Sequence, residues 1–486
     1  MTGSARPSWI RSTGVCTALA VLATMVLMLV HPGMDARIRP LPFLVMAWLA
    51  FLAAAWLLRT IPLRAAVPLI LLGGIAVQLA AVSAPPQNSN DLYRYIWDGQ
   101  VQAAGIDPYA YVPAARQLDG LRNDFLWYPS ARYCVQPSIA GDLASGCTRI
   151  NRPTAPTIYP PVAEAYFLGV HYLPDATESA TPIQSTTAGV AVLTAVLLLF
   201  GLRRLGRDPR LAALWAWCPT VALEAGNSAH VDVVAVAITT AALLVLATAR
   251  TGRRTIAGGV LLGLAIATKM TPALTVPAVL RRRWLLVSAS AASAVAVVYT
   301  PHVLAVGTKV IGFLPGYLQQ EGYDSGTRFG IIDLFVSGKA AIAVAVLVLA
   351  VVGLAVLWFA DPDQPWRGAV VMTAAALAVA TPHYQWYALL LVMLVALDGR
   401  PEWLAFAAGG YYAAEPQLGR FTVPGTYTYA VGYGVPVLIV LGGALIRHRL
   451  AGRSALQLTP EAMTPLAPAR EPLPHRLPRV PVLLGS

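Results

Sequence analysis

The chain has 486 residues, 57% of them hydrophobic and only 12% charged, with a mean hydropathy of +0.61. A soluble domain carries about 25% charged residues, so this composition excludes an ordinary soluble enzyme and points to a polytopic membrane protein. The formal net charge of +12 is no argument for nucleic acid, because arginines gathered in cytoplasmic loops account for it through the positive-inside rule.

The N-terminal stretch MTGSARPSWIRSTG is basic. The apolar run after it, 15–31, is long enough to stay as a span rather than be cleaved as a signal. Runs near 41–58 and 65–84 follow, and then a long polar segment, 85–182. Beyond it, apolar runs recur near 184–202, 211–225, 231–249, 255–268, 271–280, 284–303, 340–360, 368–381, 384–397, 402–414 and 427–446. Several are shorter than the roughly 20 residues that cross a bilayer upright, so the pattern predicts about 10 to 14 spans, some tilted or broken. The fold class is an all-α polytopic membrane protein. Residues 1–453 form its transmembrane domain, with 85–182 as an extracytoplasmic loop. Residues 454–486, rich in Pro, Leu and Arg and without helical period, read as a disordered cytoplasmic tail.

The arginines fall on alternate connections: Arg6 and Arg11, then 59–64, 203–210, 250–254, 281–284, 361–367, 398–403 and 447–453. That places all of them, and both termini, on the cytoplasmic side. The alternation requires YPPVAEAYFLGVHYL (159–173) to be interfacial or re-entrant rather than spanning. The opposite connections carry nearly all the His, Tyr and isolated acidic residues. A transporter is expected to hold its polar groups near the bilayer midplane; polar groups gathered at one face suit chemistry at the membrane surface. A transporter or flippase of lipid-linked glycans is the alternative class, and it would need a polar path that these spans lack. Cys16 and Cys218 read as inert packing residues, and Cys134 and Cys147, in the long loop, as a plausible disulfide.

NDLYRYIWDGQVQAAGIDPYAY (90–111) predicts a short interfacial helix. Ser89 or Asn90 can cap it, and Gly105 with Pro108 ends it. Asp91, Arg94 and Asp98 fall at i, i+3 and i+7 on one face. Arg94 either bridges two acids structurally or sets the charge of a catalytic one. Tyr93, Tyr95 and Trp97 are amphipathic side chains suited to the headgroup layer. A carboxylate here can take a proton from an attacking hydroxyl, and cations nearby can hold a leaving phosphate.

This stretch, followed by TIYPPVAEAYF (157–167), resembles the first-loop signature of the GT-C glycosyltransferases. It is most similar to the actinobacterial polyprenol-phosphate-mannose-dependent mannosyltransferases of phosphatidylinositol mannosides and lipomannan, and more distantly to the catalytic subunit of the first GPI mannosyltransferase. The shared pattern is an Asp shortly after a span, a G-x-x-P-Y turn and an aromatic Y-P-P leading back to the membrane. ATKMTPALTVPAVLRRRW (267–284) resembles the K-x-x-P hairpin of the family. One departure is that the Asp-bearing loop follows the third span here, and the first in the family.

The resemblance implies an inverting transfer, at the extracytoplasmic face, from a polyprenyl-phosphate sugar, mannose in this family, to a glycolipid or lipoglycan acceptor. Asp91 matches the catalytic base, with Asp98 as the alternate. No obligate cofactor is expected; a divalent metal is conceivable, but two acids seven residues apart are not a tight metal spacing. Lys269, a lone cation among apolar residues, is the natural holder of the donor phosphate. Arg94, His230, His383 and Arg328 are further phosphate candidates, with Asp232 beside His230 as an orienting group. Tyr95, Trp97, Tyr159, Tyr384 and Trp386 are candidates for sugar or acceptor contact. Tyr159, Pro160 and Pro161 also shape the re-entry. Glu164, Asp324 and Glu415 are acceptor-side candidates.

Overall fold

The computed structural model describes residues 8–31, 40–128, 148–414 and 425–456. It falls into two compact units, Met1–Val440 and Leu441–Ser486, and the described part of the second is the end of a long helix. The expected tail 454–486 lies almost wholly outside the described residues.

Three apolar helices open the chain: α1 (Ser8–Val30), α2 (Pro40–Leu58) and α3 (Leu63–Ala81). The polar helix α4 (Asp91–Ala103) and the short α5 (Pro161–His171) come next. Then follow α6 (Thr181–Arg204), α7 (Asp232–Ala247), α8 (Gly252–Ile266), α9 (Trp284–Val306) and α10 (Leu314–Gln320). The remaining helices are α11 (Gly338–Phe359), α12 (Pro365–Ala380), α13 (Leu389–Asp398), α14 (Ala405–Ala414) and α15 (Gly425–Leu456).

Among the described residues, seven helices are long and apolar enough to cross a membrane, and eight with a bent pair counted as one span. Two shorter apolar helices, Pro365–Ala380 and Gln385–Asp398, accompany them. The protein is an all-α, multi-pass membrane protein. Two expected runs differ in form. Residues 211–225 are not one rod but a set of short helical turns, interrupted by Pro219 and buried throughout their centre. Residues 271–280 are likewise short turns, carrying Pro272 and Pro277.

The arginine-bearing connections meet at one end of the helices. Arg210 Nε donates to Ile61 O at 2.9 Å, Arg207 Nη2 to Asp398 O at 2.8 Å, and Arg282 Nη1 to Asp363 Oδ1 at 2.7 Å. Arg283 Nη2 donates to Arg250 O at 3.1 Å. The alternation read from the sequence is therefore a physical cluster linking 59–64, 203–210, 250–254, 281–284, 361–367 and 398–403.

The polar connections meet at the other end. There, α4 and α5 pack on each other around a separate aromatic core in which Tyr95 stacks on Phe167 at 4.4 Å and Trp97 meets Trp127 at 5.5 Å. Eleven residues make α5 about 16 Å long, too short for a bilayer core of roughly 30 Å, so it does not span. Close packing needs Gly99: a Cβ there would lie 2.5 Å from Phe167 O. The burial of Tyr95 and Trp97 in this core differs from the expected headgroup position, because α5 and the 118–127 loop cover them. Cys218 is buried as expected, whereas Cys16 faces outward. Cys134 and Cys147 lie outside the described residues.

Candidate active site

Asp91 is the first residue of α4. Its backbone N–H donates to Ser89 Oγ at 3.1 Å in a local turn, and Asn90, at the cap position, makes no side-chain cap bond and turns its Oδ1 to Asn151 Nδ2 at 3.1 Å. The same Nδ2 donates to Asp91 Oδ1. The other carboxylate oxygen faces His230 Nδ1 at 3.9 Å. Asp91 is thus held by a loop amide on one side and faces an imidazole, beyond hydrogen-bond distance, on the other, and 16% of its side chain stays exposed.

That exposed edge opens on a cavity of 430 Å³. Four ionisable groups with formal charge line it: Asp91, Arg94, Arg152 and Lys269. Lys269 follows the end of α8, and its Nζ is 3.0 Å from Asp232 Oδ2 and 5.3 Å over the Tyr159 ring. Arg152 has a left-handed backbone at φ 46°, a conformation that a non-glycine residue holds at some cost and that is common at functional sites. Its Nε donates to Gln320 Oε1 at 2.9 Å, and it forms no ion pair among the described residues. Burial opposes its charge, but Tyr384 and the Asp91 carboxylate hold its affinity for the proton above the ordinary value. Aromatic walls complete the cavity: Tyr159, Tyr317, Tyr384, Trp386 and Tyr387. Tyr384 stacks on Trp386 at 4.4 Å, and Trp386 in turn on His230 at 3.8 Å.

His230 sits in the break of the bent pair Val221–Asn227 and Asp232–Ala247, where the chain turns by 117°. Ala229, just before it, takes φ 54°. His230 Nε2 lies 3.5 Å from Glu224 Oε2, and neither residue has any exposed side-chain surface. Glu224 also accepts from Tyr411 Oη at 2.7 Å and Asn88 Nδ2 at 3.2 Å. This carboxylate–imidazole–carboxylate line ends on Asp91.

Below the cavity, Arg94 Nε reaches both oxygens of Asp98 at 2.9 and 3.0 Å, and Nη1 donates to Ala155 O at 3.1 Å. Arg94 Nη2 has no partner. Glu164 lies against the pair, with Thr157 Oγ1 donating to Oε1 at 2.7 Å and Gln102 Nε2 to Oε2 at 2.9 Å. Burial raises the pKa of Asp98, against the pull of Arg94. Burial and the Asp98 charge together push Glu164 well above the ordinary carboxylate value, which favours its protonated form.

A second cluster ties the outer loop to the segment before α13. Glu321 accepts from Tyr384 Oη at 3.0 Å and faces His383 Nδ1 at 3.3 Å and Arg328 Nη1 at 3.9 Å. Thr381 Oγ1 donates to Arg328 O at 2.7 Å.

Of the residues picked out in the sequence, the cavity brings together Asp91, Arg94, Lys269, Tyr159, Tyr384 and Trp386. His230 backs the wall, one layer behind Asp91. Asp98 and Glu164 lie beneath it and do not line it, and Tyr95 and Trp97 are enclosed in the aromatic core. His383 and Arg328 belong to the clasp on Glu321, and Asp324 is exposed outside the cavity. Glu415 lies outside the described residues. Sequence reasoning missed Arg152, Asn151, Gln320 and Glu224. For Glu224 a signal existed: an acid in the apolar run 211–225 is costly and marks function by default. The loop residues carried none.

Residues 157–382 match the model of glycosyltransferase family 87, which supports a glycosyltransferase. Among solved structures, the chain is similar to ArnT from Cupriavidus metallidurans, crystallised with undecaprenyl phosphate, at 13% identity and TM-score 0.43, over 84% of this chain and 82% of that one. It is also similar to the Archaeoglobus fulgidus oligosaccharyltransferase tethered to an acceptor peptide, at 12% identity and TM-score 0.38, over 76% of this chain and 53% of that one. No curated protein matches the chain in sequence.

Proposed function

We propose that this chain is a membrane glycosyltransferase of the GT-C type. It moves a sugar, mannose, from a polyprenyl-phosphate donor to a glycolipid or lipoglycan acceptor, with inversion, at the extracytoplasmic face of the cell membrane. The family match at 157–382 supports the reaction class. One observation carries the site: a partly exposed carboxylate, Asp91, shares a 430 Å³ cavity with Lys269 and with Arg152, which forms no ion pair among the described residues.

The chemistry follows from those groups. The acceptor hydroxyl attacks the anomeric carbon while Asp91 takes its proton. Asn151 holds one carboxylate oxygen, which limits the rotation of the base, and His230 stands 3.9 Å from the other. As the anomeric C–O bond breaks, negative charge grows on the departing polyprenyl phosphate. Arg152 and Lys269 are placed to meet it, Arg152 with a planar fork suited to phosphate oxygens. The stacked rings of Tyr384 and Trp386 offer an apolar face to a sugar. His383 and Arg328 act through the clasp that positions Tyr384. The reading gives no metal or other cofactor a role.

The test is a donor panel. Membranes holding the protein are incubated with radiolabelled polyprenyl-phosphate mannose, or with other polyprenyl-phosphate sugars, and a crude lipid extract. Labelled glycolipid from the mannose donor above that of empty membranes is expected. Transfer from another sugar alone would move the donor identity, and transfer from none would overturn the reading.

A further inference from the structure

The far end of the α7–α8 hairpin carries a feature that the reaction does not use. A cavity of 500 Å³ opens there, lined by Arg250, Arg281, Arg282 and Arg283, with Thr255 and the apolar side chains of Leu246 and Val287. It lies about 22 Å from the reaction cavity, the length of the 15-residue α8 at 1.5 Å per residue. We propose that this cavity binds the phosphate headgroup of an anionic phospholipid of the membrane.

Four observations point to that occupant. First, the charge is unanswered: Arg282 pairs with Asp363 at 2.7 Å, but Arg250, Arg281 and Arg283 form no ion pair among the described residues. Second, the arginines are folded toward one another. Arg283 takes φ 49°, ψ 41°, in the left-handed region, and its guanidinium turns back to Arg250 O at 3.1 Å and Thr255 Oγ1 at 3.5 Å. Arginines spread out to follow the positive-inside rule need no such backbone. Third, two helix N-termini, those of the 15-residue α8, capped by Thr251, and the 23-residue α9, uncapped, begin beside this cavity, and their dipoles favour an anion. Arg283, at the cap position of α9, makes no side-chain cap bond there. Fourth, exposed apolar side chains adjoin the lining residues in sequence: Trp284 and Leu285 follow Arg283, and Ile256 follows Thr255, at 58%, 62% and 43% exposure. A phosphate in the cavity would leave its acyl chains against those residues. A soluble phosphate would use the first three features and not the fourth. Basic pockets between membrane helices take anionic headgroups in this manner.

The test is native mass spectrometry of the full chain in detergent, titrated with phosphatidylglycerol or phosphatidylcholine. Phosphatidylglycerol is expected to bind at least tenfold more tightly. Arg250→Gln/Arg283→Gln is expected to lose that tenfold. The control Arg203→Gln/Arg204→Gln removes the same charge from the end of α6, outside the cavity, and is expected to change binding less than twofold. Equal losses in both variants, or no preference between the lipids, would overturn the proposal. Displacement of the lipid by equimolar inorganic phosphate would also overturn it, by making the site one for a soluble anion. Arg250 is exposed, so Arg250→Gln alone retains the fold if the double variant does not; a threefold loss is expected, and an unchanged affinity would contradict the site.

Discussion

Replacing Asp98 by Asn tests the electrostatic floor of the site. Arg94 is 4% exposed and its charge is met by Asp98 through two contacts at 2.9 and 3.0 Å. Removing one partner of a buried pair costs about 3–5 kcal/mol, because the other charge is left uncompensated. Here a substitute stands by. Burial and the repulsion of the Asp98 carboxylate favour the protonated form of Glu164, and Asp98→Asn removes that repulsion. Glu164 can then ionise and answer Arg94, so the single variant is expected to lose less, about 2 kcal/mol. Glu164→Gln alone keeps a neutral side chain but can accept from only one of the two donors, Thr157 and Gln102, and is expected to cost about 1 kcal/mol. The double variant has no spare carboxyl and is expected to exceed the sum of the singles by about 1–2 kcal/mol. The assay is unfolding of the detergent-solubilised chain followed by tryptophan fluorescence, with all four proteins compared. Additive losses, or a Glu164→Gln variant as weak as Asp98→Asn, would refute the assignment of the proton to Glu164.

Three further outcomes are expected. Arg152→Gln removes a cation that forms no ion pair among the described residues and should lower kcat/KM for the donor about 10- to 100-fold, the value of one or two charge-assisted hydrogen bonds, with kcat falling as well because the charge it meets grows in the transition state; an unchanged kcat/KM would remove Arg152 from the donor site. Gly99→Ala places a Cβ 2.5 Å from Phe167 O and should force α4 from α5 at a cost of about 1–3 kcal/mol, read as lost thermal stability together with lost activity. Glu321 is held below the ordinary carboxylate range by His383 and Arg328, against the effect of its burial; its contribution to the clasp is therefore full above the unfolded carboxylate pKa and is lost as pH falls through the lower folded value. Hydrogen exchange in 314–337 should rise in that acidic window, and equal exchange in wild type and Glu321→Gln at neutral pH would contradict the clasp.

Much of this arrangement was legible in the sequence where one residue type has one physical job. The alternation of arginines foretold the cluster now seen between Arg210 and Ile61 and between Arg207 and Asp398. Gly105, with φ 77°, marked the end of α4, and Asp91 and Lys269 stood out as charges beside apolar runs. What was illegible depended on contacts distant in sequence. Tyr95 and Trp97 read as headgroup aromatics because nothing local shows that α5 will cover them. Asp98 stood as the alternate to Asp91 on the same helix face, and its burial against Arg94 beneath the cavity separates them. Arg152 sat in a polar loop without period, and its role comes from Gln320, 168 positions away.

The central claim is that Asp91 is the base of a glycosyl transfer. The direct measurement compares wild type, Asp91→Asn and Asp98→Asn at matched expression, in membranes supplied with radiolabelled polyprenyl-phosphate mannose and lipid acceptor. Labelled glycolipid is expected with wild type, at least a hundredfold less with Asp91→Asn, and measurable product with Asp98→Asn. Undiminished product from Asp91→Asn would contradict the claim.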